Sequence, residues 1–359
     1  MAANREFPKK EGGALATRRS RLGWTLVALV LAAVTIWVVL SQNKEFSFKS
    51  LWHSIENANI WYMSAAVACA LCIGLAEAKA LSASCRLLGY PCRYHRSVVY
   101  SAADLYFSAI TPSASGGQPL CAALMIRDGI PAAVSTAALL ATLSMYTLSL
   151  LVLGVVVLLV FPGIFVAVGV TARILIVIGF LVFICLTSFF LLLLKNEAML
   201  RRICTAAVRF AAKLHLLRRP ERTLERLDRS MNEYGESVAI LRSHKRMMIG
   251  ILGYNLLQRL ASSLVPFFVA LATGANLSQA IRLWAVQIYS MVGANCLPIP
   301  GSMGVADYLM LNGFRLYLDE SAAVNLELLS RSLSFYFIVI LCGTLVLVDH
   351  FVHMRRKKK

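Results

Sequence analysis

Two short runs contain residues whose types and spacing could do chemistry. One is Thr111-Pro112-Ser113-Ala114-Ser115-Gly116-Gly117-Gln118-Pro119; the other is Leu297-Pro298-Ile299-Pro300-Gly301-Ser302-Met303-Gly304, preceded by Asn295. Each lies within an apolar stretch, 98–126 and 283–314. Proline removes a backbone donor and clashes with the preceding turn, so neither stretch can be one continuous helix. Ser115 or Gly117 can cap a helix that starts with Pro119, and Ser302 can cap one from Met303 to Asn312. A helix N-terminus presents free N–H groups and about half a positive charge, which favours an anion such as phosphate. Thr111, Ser113, Ser115, Gly116, Gly117, Gln118, Asn295, Gly301 and Ser302 are therefore the candidate headgroup-binding positions. The alternative is that the breaks only shape the bundle.

Few ionisable residues fall inside apolar runs. Arg259 sits near the middle of Met247–Ala272, where an unpaired charge costs about 2.5–3.5 kcal/mol on insertion scales. It should face the interior, either on a phosphate or paired with Asp104, Asp307 or Glu77. These three acids are in turn candidates for coupling a proton or for contacting a cationic headgroup. Lys79 and Arg127 fit the membrane interface, with the charged head reaching water.

Other chemistry has little support. There is no G-x-x-x-x-G-K-[ST], no H-E-x-x-H and no G-x-S-x-G, so neither ATP hydrolysis nor a hydrolase motif is indicated. No cofactor or metal is expected. All six histidines fall at or beyond the ends of apolar runs, which leaves Ser302 without a base. Cys69 and Cys72 form a C-x-x-C inside an apolar run with no second pair, and read as packing residues.

The elements that must position these residues follow from composition. Of 359 residues, 58% are apolar and 15% charged, with mean hydropathy +0.69. That excludes a disordered chain and argues for the bilayer as solvent. The net charge of +18 lies mostly between apolar runs, as cytoplasmic loops require, so no nucleic-acid partner is expected. Six spans are predicted: Trp24–Leu40 as a retained signal anchor, then Ile60–Ala78, Ala132–Val160, Ile174–Leu194, Met247–Ala272 and Leu333–Val348.

Lys/Arg counting orients them. Residues 1–21 and 79–96 each carry a net +4, residues 195–246 hold 13 basic against 6 acidic side chains, and a basic tail follows His350. All four are cytoplasmic only if each broken stretch re-enters and leaves on its own side, the first from the cytoplasm and the second from outside. Both termini are then cytoplasmic. The expected fold is an all-α polytopic membrane protein with six full spans and two re-entrant hairpins in an inverted-topology repeat, the usual build of secondary transporters.

The expected organisation is a basic N-terminus 1–22, a first membrane repeat 23–194 with re-entrant pair 97–127, and a cytoplasmic linker 195–246. A second repeat 247–350 with re-entrant pair 283–314 and a basic tail 351–359 complete it. In the linker, Leu200, Ile203, Ala207, Ala211 and Leu214 share one helical face, with Arg201, Arg202, Arg209 and Lys213 elsewhere. Such a helix suits an anionic cytoplasmic leaflet, through residues 195–219. Leu224, Leu227, Met231, Tyr234, Val238 and Leu241 form a second stripe, to pack on the chain's own bundle or on the second subunit of a homodimer.

The run Tyr106–Pro119, followed by Arg127-Asp128-Gly129, resembles the transmembrane flippase-like domain of the lysylphosphatidylglycerol synthase (multiple peptide resistance factor) family, and so does Asn295–Gly304. The likeness extends over about residues 24–350. It implies a bacterial or archaeal protein of the cell membrane that moves an aminoacylated phospholipid, a glycolipid or another lipid-linked headgroup between leaflets. Full-length members carry a soluble aminoacyl-transferase domain after the membrane region. This chain ends at Lys359 without one, so the expectation is a stand-alone flippase-like member that performs no lysyl transfer. A membrane-embedded enzyme on a lipid-linked substrate, with Asp104 or Asp307 as base, and a non-transporting envelope scaffold are the alternatives.

Overall fold

The computed structural model describes residues 56, 58–111, 116–213, 220–294 and 304–356. The expected first span, Ser113, Ser115, Asn295, Gly301 and Ser302 lie outside them. The described residues form helices with no strand among them. In chain order these are α1 (Ile60–Leu87), α2 (Tyr94–Ile110), α3 (Gly117–Arg127), α4 (Ala132–Val160), α5 (Pro162–Ala167), α6 (Val170–Lys195), α7 (Glu197–Lys213) and α8 (Pro220–Ser243). There follow α9 (Lys245–Ala272), α10 (Leu277–Ala294), α11 (Val305–Phe314), α12 (Glu320–Arg331), a π-helical turn at Ser332–Phe337, and α13 (Ile338–Arg356).

Among the described residues, five helices are long and apolar enough to cross a membrane: α1, α4, α6, α9 and the continuous unit Glu320–His353. The all-α membrane fold is thus as expected. The last long helix, however, begins at Glu320 rather than near Leu333. Glu320, Glu327 and Arg331 lower the hydropathy of its first turns and mask its start in the sequence. Asp319 caps it, accepting from Ala322 N at 3.2 Å. The second predicted span also runs on to Leu87 and stops at Gly89, whose φ of 81° suits the left-handed end of a helix.

The order long helix, short helix pair, long helix occurs twice, as α1, α2–α3, α4 and as α9, α10–α11, α12–α13. The corresponding helices α1 and α9 pack along each other as the most extensive helix pair. Each short pair is a chain reversal. In the first, Arg96 at the start of α2 meets Asp128 just past α3, its Nε donating at 2.7 Å, and Tyr100 Oη donates to the same carboxylate at 2.6 Å. Asp349 of α13 joins both arms, pairing with Arg96 and with Arg127 Nη2 at 2.7 Å. In the second, a Cβ on Gly313 of α11 would fall 2.3 Å from Val286 of α10, and Arg282 lies over the Tyr317 ring.

The core joins these parts through small residues and a few large ones. Gly179 of α6 approaches the backbone of α10 so closely that a Cβ there would sit 2.2 Å from the Val292 carbonyl oxygen. Outward faces of α6 stay apolar: Ile174, Val177, Leu181 and Ile184 are exposed, as a lipid-facing helix requires.

In the 195–246 region, Met231, Tyr234, Val238 and Leu241 of α8 are buried with Leu193, Leu194 and Leu200. Tyr234 Oη donates to Leu193 O at 3.0 Å. That part of the second stripe packs on the chain's own bundle. On α7, Ile203 and Phe210 remain exposed.

Two stability predictions follow from these contacts. Asp128→Ala should cost about 1.5–3 kcal/mol at neutral pH, the usual worth of hydrogen bonds to a charged group. Burial opposes the charge on Asp128, but the hydrogen bonds from Tyr100 and Arg96 outweigh it and hold the carboxyl below its usual value of 3.8. Its contribution is therefore present above that value and lost as pH falls through the lower folded one. The Tm gap between wild type and variant in detergent should narrow below pH 3.8. Separately, Gly179→Ala should lose about 1–3 kcal/mol through overpacking. Gly250→Ala on α9, which meets nothing within 4 Å, should be neutral or gain up to about 1 kcal/mol from helix propensity. Thermal unfolding checks both.

Candidate functional site

The two chain breaks use their helix ends internally. α3 begins at Gly117, two residues before Pro119, and its N-cap is Gly116 rather than Ser115 or Gly117. Thr111 holds the turn: its Oγ1 donates to Phe107 O at 2.6 Å and accepts from Gly116 N at 2.9 Å. The Asp104 carboxylate lies against this helix start, since a Cβ on Gly117 would fall 2.1 Å from Asp104 Oδ1. Gln118 Nε2 donates to Asp104 Oδ2 at 2.6 Å.

At the second break α11 begins at Val305, not at Met303, with Gly304 as its N-cap at φ 76°. Asp307 folds back and accepts from Gly304 N at 2.9 Å. Both helix N-termini thus have a carboxylate of the chain's own beside them, which uses the positive end that the sequence reading offered to a ligand.

The acids are likewise distributed among internal partners. Glu77 of α1 lies at hydrogen-bonding range of Asp104 and accepts from Gln258 Nε2 of α9 at 2.8 Å. Asp307 Oδ1 pairs with Arg331 Nε at 2.6 Å, and Glu327 lies 3.9 Å from the same nitrogen.

Arg259 is different. Its side chain is buried (9% exposed), and among the described residues no carboxylate comes within ion-pair distance. Among the described residues Arg259 makes no direct ion pair with Asp104, Asp307 or Glu77, although Glu77 lies close enough to interact with it electrostatically. The guanidinium instead lies over the Tyr146 ring, 4.3 Å from its centroid, with Nη1 donating to Tyr146 Oη at 3.2 Å. A tyrosine face offers a cation about 0.5–2 kcal/mol and no net charge. Arg259 Nε is buried without a hydrogen-bond partner.

This guanidinium opens on a cavity of about 230 Å³. Its wall is built from six elements: Tyr146 of α4, Arg259 and Ser262 of α9, Gln287 and Ser290 of α10, Met310 of α11, Arg331 at the end of α12, and Ser334 with Phe335 in the π-helical turn. Arg259 lies near the middle of the 28-residue helix α9, roughly 20 Å from either end at 1.5 Å per residue. Pro266 has no N–H to give the Ser262 carbonyl, so the helix is locally opened beside the cavity. A π-helical segment adds a residue to the turn and widens it, a device common at functional sites.

Of the predicted site residues, the structure thus brings Arg259 to a cavity. It brings Asp104, Glu77, Gly117 and Gln118 to one another, Thr111 and Gly116 to the hairpin turn, and Asp307 to Arg331. Tyr146, Gln287, Ser290, Arg331 and Ser334 were missed. Gln287 and Ser290 are polar positions in the apolar second half of α10, residues 283–294, a pattern that could have singled them out.

Residues 25–342 match the family of the lysylphosphatidylglycerol synthase TM region. The chain belongs to that family. No curated protein matches it. Membership and the five apolar helices together make it a multi-pass membrane protein of a family tied to lipid handling.

Removal of one donor to the acid pair should be measurable. Gln118→Leu takes the 2.6 Å hydrogen bond from part-buried Asp104 and should cost about 1.5–3 kcal/mol, read as a lower Tm in detergent, while Arg259 and its cavity wall are untouched.

Proposed function

We propose that the protein is a lipid flippase that moves a phospholipid or lipid-linked headgroup between the leaflets of the cell membrane without hydrolysing ATP. The observation that carries this reading is Arg259: a buried cation with no direct ion pair among the described residues, opening on a cavity at the middle of a membrane-length helix. Such a charge is retained only if something compensates it. A phosphodiester entering the cavity would do so, with charge-assisted hydrogen bonds of the kind arginine makes to phosphate.

The membrane arrangement that goes with this reading has six spans, with both termini in the cytoplasm. The hairpins α2–α3 and α10–α11 enter from opposite leaflets, and the two repeats are inverted. The joined base of α2–α3 at Arg96, Arg127 and Asp128 and the distribution of Lys and Arg support it. The basic helix α7 is suited to lie on the anionic cytoplasmic leaflet, with Ile203 and Phe210 toward the acyl chains.

Reconstituted in liposomes, the protein should speed leaflet exchange of a labelled phospholipid. Arg259→Gln should insert and fold, yet lose at least tenfold in lipid affinity and in exchange. Exchange by this variant at the wild-type rate would refute the role given to Arg259.

A further inference from the structure

Independently of the flippase reading, we infer that Cys92 is a modification site: a hydroperoxide-reactive thiol that closes to a disulfide with Cys85, tying the end of α1 to the start of the hairpin α2–α3.

A tight helix end brings the two thiols together. Gly89 takes a φ of 81°, which folds the chain back over the last turn of α1. Gly89 N then donates to Arg86 O at 3.1 Å, and Tyr90 N to Cys85 O at 2.9 Å. Pro91 and Cys92 follow, and α2 begins at Tyr94. Cys85 is fully buried and Cys92 half-buried. The two sulfurs lie within hydrogen-bonding range of each other. Cys92 Sγ also sits 2.9 Å from Ser97 Oγ, and Ser82 comes within hydrogen-bonding range from α1. Both serines are buried. A thiolate can only accept, so the two hydroxyls and the Cys85 thiol are its donors.

These contacts favour the charged form of Cys92. The Cys85 thiol is the main donor, Ser97, Ser82 and the Cys92 backbone N–H add to it, and partial burial opposes them. The thiol is held below its usual 9.0, at about 6. The N-cap of α2, Arg93, makes no side-chain hydrogen bond, so the positive end of that helix is also close by. Of the charged and titratable neighbours, Cys121 of α3 lies within electrostatic range, and Arg96 is taken up by Asp128 and Asp349. Cys204 on α7 is the contrast: it is half-buried too, and burial pushes its thiol up. An acidic, partly accessible thiol beside a second thiol is the setting in which peroxides react. The Cys92 thiolate attacks one peroxide oxygen; the O–O bond breaks, Cys92 becomes a sulfenic acid, and the other oxygen leaves and takes up a proton. The Cys85 sulfur then attacks the sulfenic sulfur; the S–S bond forms, the S–O bond breaks, and water leaves with the Cys85 proton. The two sulfurs lose two electrons and the peroxide gains them. A dithiol reverses the change by exchange. In the orientation proposed above this loop faces the cytoplasm, where a disulfide is a transient signal rather than a staple.

The test treats the full chain in detergent with hydrogen peroxide at about pH 6, quenches by alkylation and reads peptides by mass spectrometry. About half of Cys92 is then thiolate, against about one in a thousand for a thiol that titrates near 9. That advantage of about 500-fold is cut roughly 20–30-fold by the lower nucleophilicity of an acidic thiolate. Cys92 should therefore be oxidised at least tenfold faster than Cys204. The product should be a linked Cys85–Cys92 peptide pair, lighter by two hydrogens and restored by dithiothreitol. Cys85→Ser keeps a donor at this position and removes the second thiol, so Cys92 should stop at the sulfenic acid and be trapped by dimedone. Cys92→Ser should leave Cys85 reduced. Oxidation of Cys92 no faster than Cys204 would overturn the inference. So would a wild-type chain in which Cys92 stays sulfenic, or in which Cys85 links to Cys121 instead. Where a variant fails to fold, the wild-type rate against pH decides: a half-maximum near 6 supports the site, and one near 9 overturns it.

Discussion

A charge taken out of water must meet a partner, and the arrangement of this protein follows from how each buried charge does so. Asp104 sits at the start of α3, and Asp307 folds back onto the start of α11. Glu77 leans on Asp104 and Gln258, and Arg331 lies on Asp307. Each of these solutions consumes a group that would otherwise be free to hold a ligand. Arg259 rests on an aromatic face and makes no direct ion pair among the described residues. The site is thus defined by what the rest of the polar network leaves over, rather than by the helix ends where an anion would first be sought.

The same economy explains the two hairpins. A chain that turns back between two short helices leaves backbone N–H groups at the second helix start that need acceptors. At the first break Thr111 supplies the Gly116 N–H with an acceptor, and at the second Asp307 supplies the Gly304 N–H. Glycine at 116 and 117 lets the returning helix come down onto Asp104 and Ser108, where any Cβ on Gly117 would collide. Within the T-P-x-x-x-G-G-x-P run, Thr111 and Gln118 thus serve backbone packing and amide satisfaction, turned to Gly116 and to Asp104.

Much of the fold was legible in the sequence because its signals are local. α4 spans Ala132–Val160 as read from its apolar run, and α6 and α9 differ from expectation by a few residues, since a run of about twenty apolar residues has few other uses. Proline and glycine marked both reversals. The start of the last long helix was not legible: Glu320, Glu327 and Arg331 look like loop residues until the capping of Asp319 and the pairing of Arg331 with Asp307 are seen. In the site, Arg259 was legible because a charge amid apolar residues is conspicuous. Tyr146, Ser290 and Ser334 were not, because tyrosine and serine are ordinary within membrane helices and their convergence depends on which faces of α4, α10 and the π-helical turn look at one another. The pairing of Glu77 with Asp104 belongs to the same class, being set by the contact of α1 with α2.

Asp349 ties both arms of the first hairpin to α13. That helix continues without a break through the π-helical turn to Arg331 and Ser334, fifteen to eighteen positions away along the same rod, roughly 25 Å at the rise of a helix. The ion pairs that close the base of α2–α3 and the side chains that line the chamber are thus carried on one helical rod, Asp349 toward one end and Arg331 and Ser334 toward the other.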